Sequence, residues 1–322
     1  FHPSAAWCGA PPTAGTPMFG LTSAQKTRRL MPLSLAAALL GVLAVLVSPT
    51  LRATEAAVHS LFSPAMDKDM GYSVYTPPGW GPDEQLPLVV LLHGGGSDHE
   101  SFNQYDVGAY LDSEHAAGRL PRVVILNPEG EFGFWENWYD GSRRYRDWVM
   151  QDLLPKVQAD YNTAPCPEAC HVMGMSMGAH GALRFIYFEN DSFDSVTVIS
   201  GLILAREEVK PTLRKSVIGL FIPFEKIWGD IDDPNTAPAD LDPFVGWVEN
   251  ESLRDKDLFL TWGTDDRRSM KRTGENFRQA LDASGLDYHF TLYDGEHKWR
   301  DWKRVIAEAL RVQVGGHERD GA

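Results

Sequence analysis

One serine of this sequence stands between two glycines in a pattern typical of a nucleophile. It is Ser176, in the run GMSMG at 174–178. Residues 171–175 predict a short strand before it, and 179–188 predict a helix after it. A tight turn between a strand and a helix projects a serine hydroxyl from the backbone, beside a helix N-terminus that stabilises negative charge. The alternative is a glycine-rich turn with a capping serine.

A serine hydroxyl is a weak nucleophile without a general base. His297 is the best candidate for that base, because it follows the predicted strand 289–293 and precedes the predicted helix 299–314. We interpret His93, in a glycine-rich turn, as a residue that orders its loop. His180, one turn after the serine, is interpreted as structural. The other histidines of the folded part lie in predicted strands, loops or surface helix, and no metal-binding spacing is found.

An acid must orient such a histidine and stabilise its protonated form. Two candidates, Asp265 and Asp266, follow the predicted strand 258–262. The order Ser, Asp, His along the chain is that of α/β-hydrolases. The residues by themselves leave open which of the two aspartates faces the histidine.

Reaction at a carbonyl also needs two N–H donors for the oxyanion. One is expected from the backbone of Met177, directly after the serine. The other is expected from the run HGGG at 93–96, in the first place from Gly95, because glycine lets the backbone approach a substrate. A glycine-rich loop could bind phosphate instead, but the G-x-x-x-x-G-K pattern is absent.

Strands and helices are predicted to alternate along the chain. This alternation indicates a mostly parallel central sheet with helices on both faces. Together with the order Ser, Asp, His, it predicts an α/β-hydrolase fold. The proline-containing stretch 202–251 breaks the alternation and is predicted to be a cap-like insertion that covers the sheet edge and lines the substrate pocket. The predicted strands are 72–76, 86–92, 122–127, 171–175, 195–199, 258–262 and 289–293, and the predicted helices are 145–161, 179–188, 272–283 and 299–314.

The first 56 residues are predicted to be an N-terminal extension and signal peptide, and 57–322 the catalytic domain. Basic residues at 26–29 precede an apolar run at 33–47, and small residues follow at 53–57. That order is typical of a secretory signal. The run is short for a spanning helix, so no stable membrane anchor is expected; an uncleaved anchor is the alternative. The sequence therefore predicts a secreted or periplasmic protein.

Two cysteines, Cys166 and Cys170, remain in the predicted mature chain. A cysteine pair in an exported protein suggests a disulfide. The alternatives are a zinc pair, which lacks a second pair of ligands at the right spacing, and two free thiols.

Composition narrows the classes of protein further. Hydrophobic residues make up 43% of the 322 residues and charged residues 23%, which is ordinary for a globular domain. The formal net charge of -14 disfavours a nucleic-acid partner. The aromatic run 132–148 either lines an acyl or sugar pocket or packs around the sheet, and both interpretations stay open.

Several motifs together resemble a family of esterases that includes esterase D (S-formylglutathione hydrolase), tributyrin, feruloyl and acetylxylan esterases, and mycolyltransferases. The most specific are SMGAHGAL at 176–183 and H-x-W-x-x-W at 297–302; the resemblance covers about residues 60–312. It implies a triad of Ser176, Asp266 and His297, with Asp266 chosen over its neighbour by the family's G-x-x-D spacing, and no cofactor. Ala179 departs from the glycine that the family often has.

The expected activity is hydrolysis of an extracellular or periplasmic carboxylic ester through an acyl-enzyme. The expected partner is a small-molecule, carbohydrate or lipid ester. Two alternatives are acyl transfer to a sugar or lipid alcohol, and a non-catalytic binding protein on the same scaffold. Oligomeric state is not predicted.

Overall fold

The structure is a computed structural model that describes residues 54–213, 219, 222–231, 233, 246–247 and 250–315. These residues all belong to one compact unit that begins at Arg52. The predicted signal peptide lies almost wholly outside the described residues and stays a prediction, as does the boundary of the catalytic domain. Much of the predicted insertion at 202–251 is also outside them.

Eight strands form a single sheet. Their bounds are Ala57–Ser63 (β1), Lys68–Tyr75 (β2), Leu88–Leu92 (β3), Val124–Pro128 (β4), Cys170–Met175 (β5), Ser195–Ile199 (β6), Asp257–Gly263 (β7) and His289–Tyr293 (β8).

Helices connect most of the strands. Their bounds are Ser101–Gln104 (α1), Val107–Ala116 (α2), Tyr145–Asp147 (α3), Leu154–Asp160 (α4), Met177–Phe188 (α5), Arg206–Leu213 (α6), Phe224–Trp228 (α7), Arg268–Ser284 (α8) and Trp299–Gln313 (α9). A π-helical stretch, Trp148–Leu153, joins α3 to α4, and short 3₁₀ turns lie at Asn190–Ser192 and Glu251–Leu253.

The strand order is β1-β2-β4-β3-β5-β6-β7-β8. The pairs β1–β2 and β2–β4 are antiparallel, and every other pair is parallel. The predicted mostly parallel sheet is therefore confirmed. Because β5, β7 and β8 run in the same direction, their carboxyl ends meet at one edge of the sheet, where such folds place their sites.

Both faces of the sheet are covered. Every residue of β3 is buried, and its side chains alternate between two apolar clusters: Leu88, Val90 and Leu92 join one, while Val89 and Leu91 join the other. Helix α5 contributes Leu183 and Phe185 to the first cluster, and α9 contributes Val305, Ile306 and Leu310 to the second. A strand buried on both sides explains the continuous apolar run in the sequence.

Cys166 and Cys170 are joined in a disulfide with their Cα atoms 5.0 Å apart. Cys170 is the first residue of β5, so the disulfide closes the loop that leads into this strand. Ser176 follows the other end of β5, so the disulfide and the serine lie at opposite ends of the strand. Within the described ranges, no helix is both long and apolar enough to cross a membrane.

Candidate active site

Ser176 occupies a strained turn between β5 and α5. Its φ of 56° and ψ of -113° place a non-glycine residue at positive φ. A Cβ added at Gly174 would lie 1.9 Å from the carbonyl oxygen of Gly178, and one added at Gly178 would lie 2.0 Å from the carbonyl oxygen of Leu92. Both glycines are therefore required for the close approach of strand and helix. The predicted nucleophile elbow has this local geometry.

Ser176, His297 and Asp266 form a continuous hydrogen-bonded line. The imidazole Nε2 of His297 lies 3.0 Å from Ser176 Oγ, and its Nδ1 lies 2.9 Å from Asp266 Oδ1. A carboxylate can only accept, so Nδ1 carries the proton that it donates to Asp266. The lone pair of Nε2 then faces the serine hydroxyl, which donates to it.

Asp266, and not Asp265, faces the histidine. The side chain of Asp266 is fully buried, whereas Asp265 is exposed and its backbone N–H donates to the carbonyl of Gly295. The turn after β7 therefore directs only the second aspartate inward. The family's spacing had predicted this choice, which the residues alone left open.

The surroundings of Asp266 keep it ionised. Burial raises the pKa of this carboxyl, but the hydrogen bond from His297, the neighbouring hydroxyl of Ser200, the charge of His297 and the backbone N–H of Arg267 outweigh burial and leave the pKa below its usual value. An ionised carboxylate at this position can stabilise an imidazolium next to it.

The loop that carries His297 is held by α9. The carboxylate of Asp301 accepts the backbone N–H of Glu296 at 2.9 Å. The ring of Trp302 packs edge-on against the imidazole of His297, with centroids 4.8 Å apart. The H-x-W-x-x-W motif therefore supports the histidine from its own helix.

His93 orders the glycine-rich loop after β3, as its position predicted. The backbone N–H of Gly130 donates to Nε2 of His93 at 3.0 Å, so the ring proton must be on Nδ1, which donates to the carbonyl of Gly94 at 2.9 Å. That carbonyl and the N–H of Gly95 belong to the same peptide unit. The hydrogen bond from His93 therefore fixes the orientation of the peptide plane between Gly94 and Gly95. It thereby also fixes the direction of the Gly95 N–H, which is the predicted second oxyanion donor.

Met177 supplies the other predicted donor, because it is the first residue of α5. The first N–H groups of a helix have no partner within it. Gly94, Gly95, Ser176 and Met177 line the same cavity. The roles of Met177 and Gly95 stay predictions, since no bound oxyanion defines them.

A cavity of about 600 Å³ opens beside Ser176 and His297. Its walls are mostly apolar, and residues of the predicted insertion contribute to them. The aromatic run 132–148 both lines the pocket and packs around the sheet. Phe132 and Phe134 line the cavity, whereas Trp135 and Trp148 are buried in the core. Insertion residues that line the cavity are Leu202, Leu204, Val209, Thr212, Ile222 and Trp228.

A second carboxylate–histidine pair lies at the cavity wall and was not predicted. Nε2 of His180 lies 3.1 Å from Oε1 of the buried Glu136, and Nε of Arg184 donates to the same oxygen at 2.6 Å. Burial raises the pKa of Glu136, but Arg184 and His180 lower it to about 2. His180 is thus held structurally, as expected, but it also lines the cavity. Glu136 and Arg184 are far apart in the sequence, so only the fold reveals the pair.

No group of three or more His, Cys, Asp or Glu side chains that could hold a metal ion is found in the part of the chain that the structure describes.

Comparison with known proteins places this site in a family. The family model "Esterase: Putative esterase" matches residues 63–312. An acetyl esterase of Caldicellulosiruptor saccharolyticus is 21% identical over 233 residues, which are 70% of this chain and 83% of that protein. Esterase Rv1288 of Mycobacterium tuberculosis is 28% identical over 256 residues, which are 71% of this chain and 54% of that protein. The chain thus spans about half the length of the mycobacterial relative.

Solved structures share the fold. A ferulic acid esterase superimposes with a TM-score of 0.66 at 20% identity, over 82% of this chain and 99% of that one. The chain therefore belongs to the "Putative esterase" family of α/β-hydrolases, and its enzymatic class is carboxylesterase.

Proposed function

We propose that the protein hydrolyses carboxylic esters through Ser176, His297 and Asp266, by way of an acyl-enzyme. The observation that carries this proposal is the hydrogen-bonded line from Asp266 through His297 to Ser176, which ends at the wall of an apolar cavity. A serine, a histidine and a buried acid in this geometry are the parts of a nucleophilic triad.

In the first half of the reaction, Ser176 Oγ attacks the ester carbonyl carbon as its proton passes to Nε2 of His297. The resulting imidazolium lies against the ionised carboxylate of Asp266. When the tetrahedral intermediate collapses, the C–O bond to the alcohol breaks and His297 returns the proton to the departing oxygen. The alcohol leaves, and the acyl group stays on Ser176.

The negative charge on the carbonyl oxygen needs donors that are already in place. The N–H groups of Met177 and Gly95 are suited to this role, because both residues line the cavity next to Ser176. His93 supports the second donor by holding its peptide plane. Preorganised donors of this kind are worth about 3 to 4 kcal/mol each in barrier height.

In the second half, water takes the place of the alcohol. His297 accepts a proton from the water as its oxygen attacks the acyl carbonyl, and then returns a proton to Ser176 Oγ as the acyl bond breaks. A free carboxylic acid and the original enzyme result. If a sugar or lipid alcohol displaced water at this step, the same residues would perform acyl transfer.

The cavity supports an apolar acyl or alcohol group as the bound part of the substrate. Its walls include Phe132, Phe134, Leu204 and Trp228. A volume of about 600 Å³ is within the usual range of small-molecule pockets.

We also propose that the ester is met outside the cytoplasm. The signal-like N-terminal segment motivates this proposal. The Cys166–Cys170 disulfide supports it, since such bonds persist in oxidising compartments. Fractionation of expressing cells, with detection of the processed chain, tests the location separately from the chemistry.

A panel of p-nitrophenyl esters of increasing acyl length tests the chemistry. We expect hydrolysis that ceases when one equivalent of an organophosphonate has reacted, with the added mass on the peptide that contains Ser176. Hydrolysis that survives full labelling, or a label on another residue, contradicts the proposal. Adding an alcohol acceptor and measuring the transesterified product separates transfer from hydrolysis.

A further inference from the structure

The two oxygens of Asp266 differ in their hydrogen bonding. Oδ1 accepts from Nδ1 of His297 at 2.9 Å and from the backbone N–H of Arg267 at 2.7 Å. Oδ2 is completely buried, and no described residue donates to it at normal hydrogen-bond distance and angle. A buried carboxylate oxygen without a donor is costly, because it has lost its water. The fold must therefore compensate Oδ2 in another way.

Three polar side chains from three different elements form a hydrogen-bonded cluster beside His297, whose imidazole bonds Asp266 and packs against the ring of Trp302. Ser200 directly follows β6, Tyr293 ends β8, and Trp302 lies in α9; Ser200 is wholly buried and the other two nearly so. The hydroxyl oxygens of Ser200 and Tyr293 are 2.5 Å apart. The indole N–H of Trp302 points between them, at 3.3 Å from Ser200 Oγ and 3.1 Å from the Tyr293 oxygen.

Two arrangements of the protons fit the donors and acceptors of this cluster. The indole of Trp302 can only donate, so each hydroxyl must place its own proton elsewhere. In one arrangement Ser200 donates to Tyr293, which donates onward to the carbonyl of Glu296 at 3.3 Å. In the other, Tyr293 donates to Ser200, whose proton is then free for Asp266. Only the second arrangement supplies a donor to the buried carboxylate.

We propose that Ser200 is a positioning residue that donates its hydroxyl proton to the carboxylate of Asp266, directed there by Tyr293 and Trp302. This inference rests on the proposed function, in which Asp266 orients His297. Ser200 is also among the groups that lower the pKa of Asp266. The backbone at Ser200 suits this role, because its φ is 52° and its N–H donates to the carbonyl of Thr261 on β7. The residue is therefore turned toward the strand that leads to Asp266.

A donor on Oδ2 fixes the rotation of the carboxylate, so that Oδ1 stays aimed at Nδ1 of His297. Without that donor the carboxylate can rotate, and the imidazole loses part of its orientation. Ser200 is buried and is not among the residues that line the cavity, so removal of its hydroxyl should lower kcat and leave KM nearly unchanged.

Ser200→Ala is compared with Ser195→Ala, which removes a buried hydroxyl at the other end of the same strand. We expect about a tenfold loss of kcat for the first, the size of one hydrogen bond to a charged group, and almost none for the second. The Nδ1–H proton resonance of His297 should shift in Ser200→Ala only. The φ of Ser200 is positive, which glycine tolerates better than alanine does. Ser200→Gly therefore serves as the second variant, and it should show the same loss of kcat as Ser200→Ala.

The decisive comparison repeats Ser200→Ala in an Asp266→Asn background. If Ser200 acts through Asp266, the second loss of kcat should be less than about twofold. An equal tenfold loss in both backgrounds overturns the inference, since Ser200 would then act by packing alone. An unchanged kcat and an unmoved Nδ1–H resonance in Ser200→Ala and Ser200→Gly also overturn it. Failure of the proposed function has a different signature, because Ser176→Ala would then retain activity.

Discussion

Two carboxylate–histidine pairs lie at the walls of the same cavity, and they differ in what else they contact. In one, Asp266 is 2.9 Å from His297; in the other, Glu136 is 3.1 Å from His180. The second nitrogen of His297 faces Ser176. The carboxylate of Glu136 is instead shared with the guanidinium of Arg184.

This difference determines where the negative charge of each carboxylate is used. Arg184 already neutralises Glu136, so that pair contributes to the fold and holds a helix against a loop. Among the described residues, Asp266 accepts the backbone N–H of Arg267 but pairs with no guanidinium side chain. Its charge is therefore available to an imidazolium on His297. The proposed catalytic role of His297 and Asp266 therefore depends on two features: Ser176 faces the free nitrogen of His297, and no guanidinium among the described residues neutralises Asp266.

Among changes to the two pairs, replacing the acid of the first pair should have the largest effect. Asp266→Asn keeps the shape of the side chain but removes the charge that stabilises the imidazolium. We expect kcat to fall by about 10⁴, as for the same change in serine proteases, with little change in Tm. Steady-state hydrolysis of one p-nitrophenyl ester and a thermal melt measure both quantities.

Asp265→Asn is the matched control for that variant, because Asp265 follows the same strand but is exposed. It should retain most of kcat. A larger loss for Asp265→Asn than for Asp266→Asn would show that the acid is assigned to the wrong residue.

The second pair should respond in stability more than in rate. Glu136→Gln leaves the buried Arg184 without its carboxylate, and breaking a buried ion pair costs about 3 to 5 kcal/mol in the free energy of unfolding. Because His180 lines the cavity, KM can change, but kcat should fall far less than in Asp266→Asn. Denaturant unfolding at neutral pH measures the loss of stability of Glu136→Gln, and ester kinetics measure its kcat. If Glu136→Gln is as stable as wild type and its kcat falls by about 10⁴, the second pair is catalytic rather than structural, and the account is contradicted.

The same pair should give the protein a specific acid sensitivity. The pKa of Glu136 is lowered from 4.5 to about 2, so the folded state favours its ionised form. The stabilisation is complete above pH 4.5 and is lost as the pH falls toward 2, by up to about 3 kcal/mol. The other carboxylates titrate in wild type and in Glu136→Gln alike, so their contributions cancel when the free energies of unfolding of the two proteins are subtracted. The difference in free energy of unfolding between wild type and Glu136→Gln should therefore shrink between pH 5 and 3; a constant difference argues against a depressed pKa.

The smallest effect is expected at the opposite end of β5, where the disulfide lies far from both pairs. Replacing Cys166 and Cys170 by alanine together should reduce the free energy of unfolding by about 2 kcal/mol, since the closed loop is short. Catalysis should persist in the folded variant. Mass spectrometry of exported wild-type protein, alkylated without reductant, checks the bridge itself; complete labelling of both thiols refutes it.

The parts of the fold that the sequence predicted are those with strong local patterns. The continuous apolar run of β3 and the glycines around Ser176 each require one local structure. Strand β1 was missed because most of its residues are exposed and show no alternation of buried and exposed positions. Helix α2 was missed because its sequence, VGAYLDSEHA, carries no clear apolar stripe.

Contacts between residues that are far apart in the sequence could not be predicted from the sequence alone. Glu136 and Arg184 are 48 residues apart, and Ser200 and Tyr293 are 93 apart. Their pairing depends on which strand ends become neighbours in the sheet. The residues of the proposed triad are equally distant in sequence, yet all three could be proposed from the sequence, because they follow strands in an order that a known family shares.

The proposed triad is tested most directly by the rate of ester hydrolysis by Ser176→Ala beside the wild-type enzyme, with both preparations matched in Tm. We expect a loss of about 10⁴ to 10⁶ in kcat, the range found when one member of a serine triad is removed. Wild-type turnover by a folded, uncontaminated Ser176→Ala preparation would contradict the assignment of Ser176 as the nucleophile.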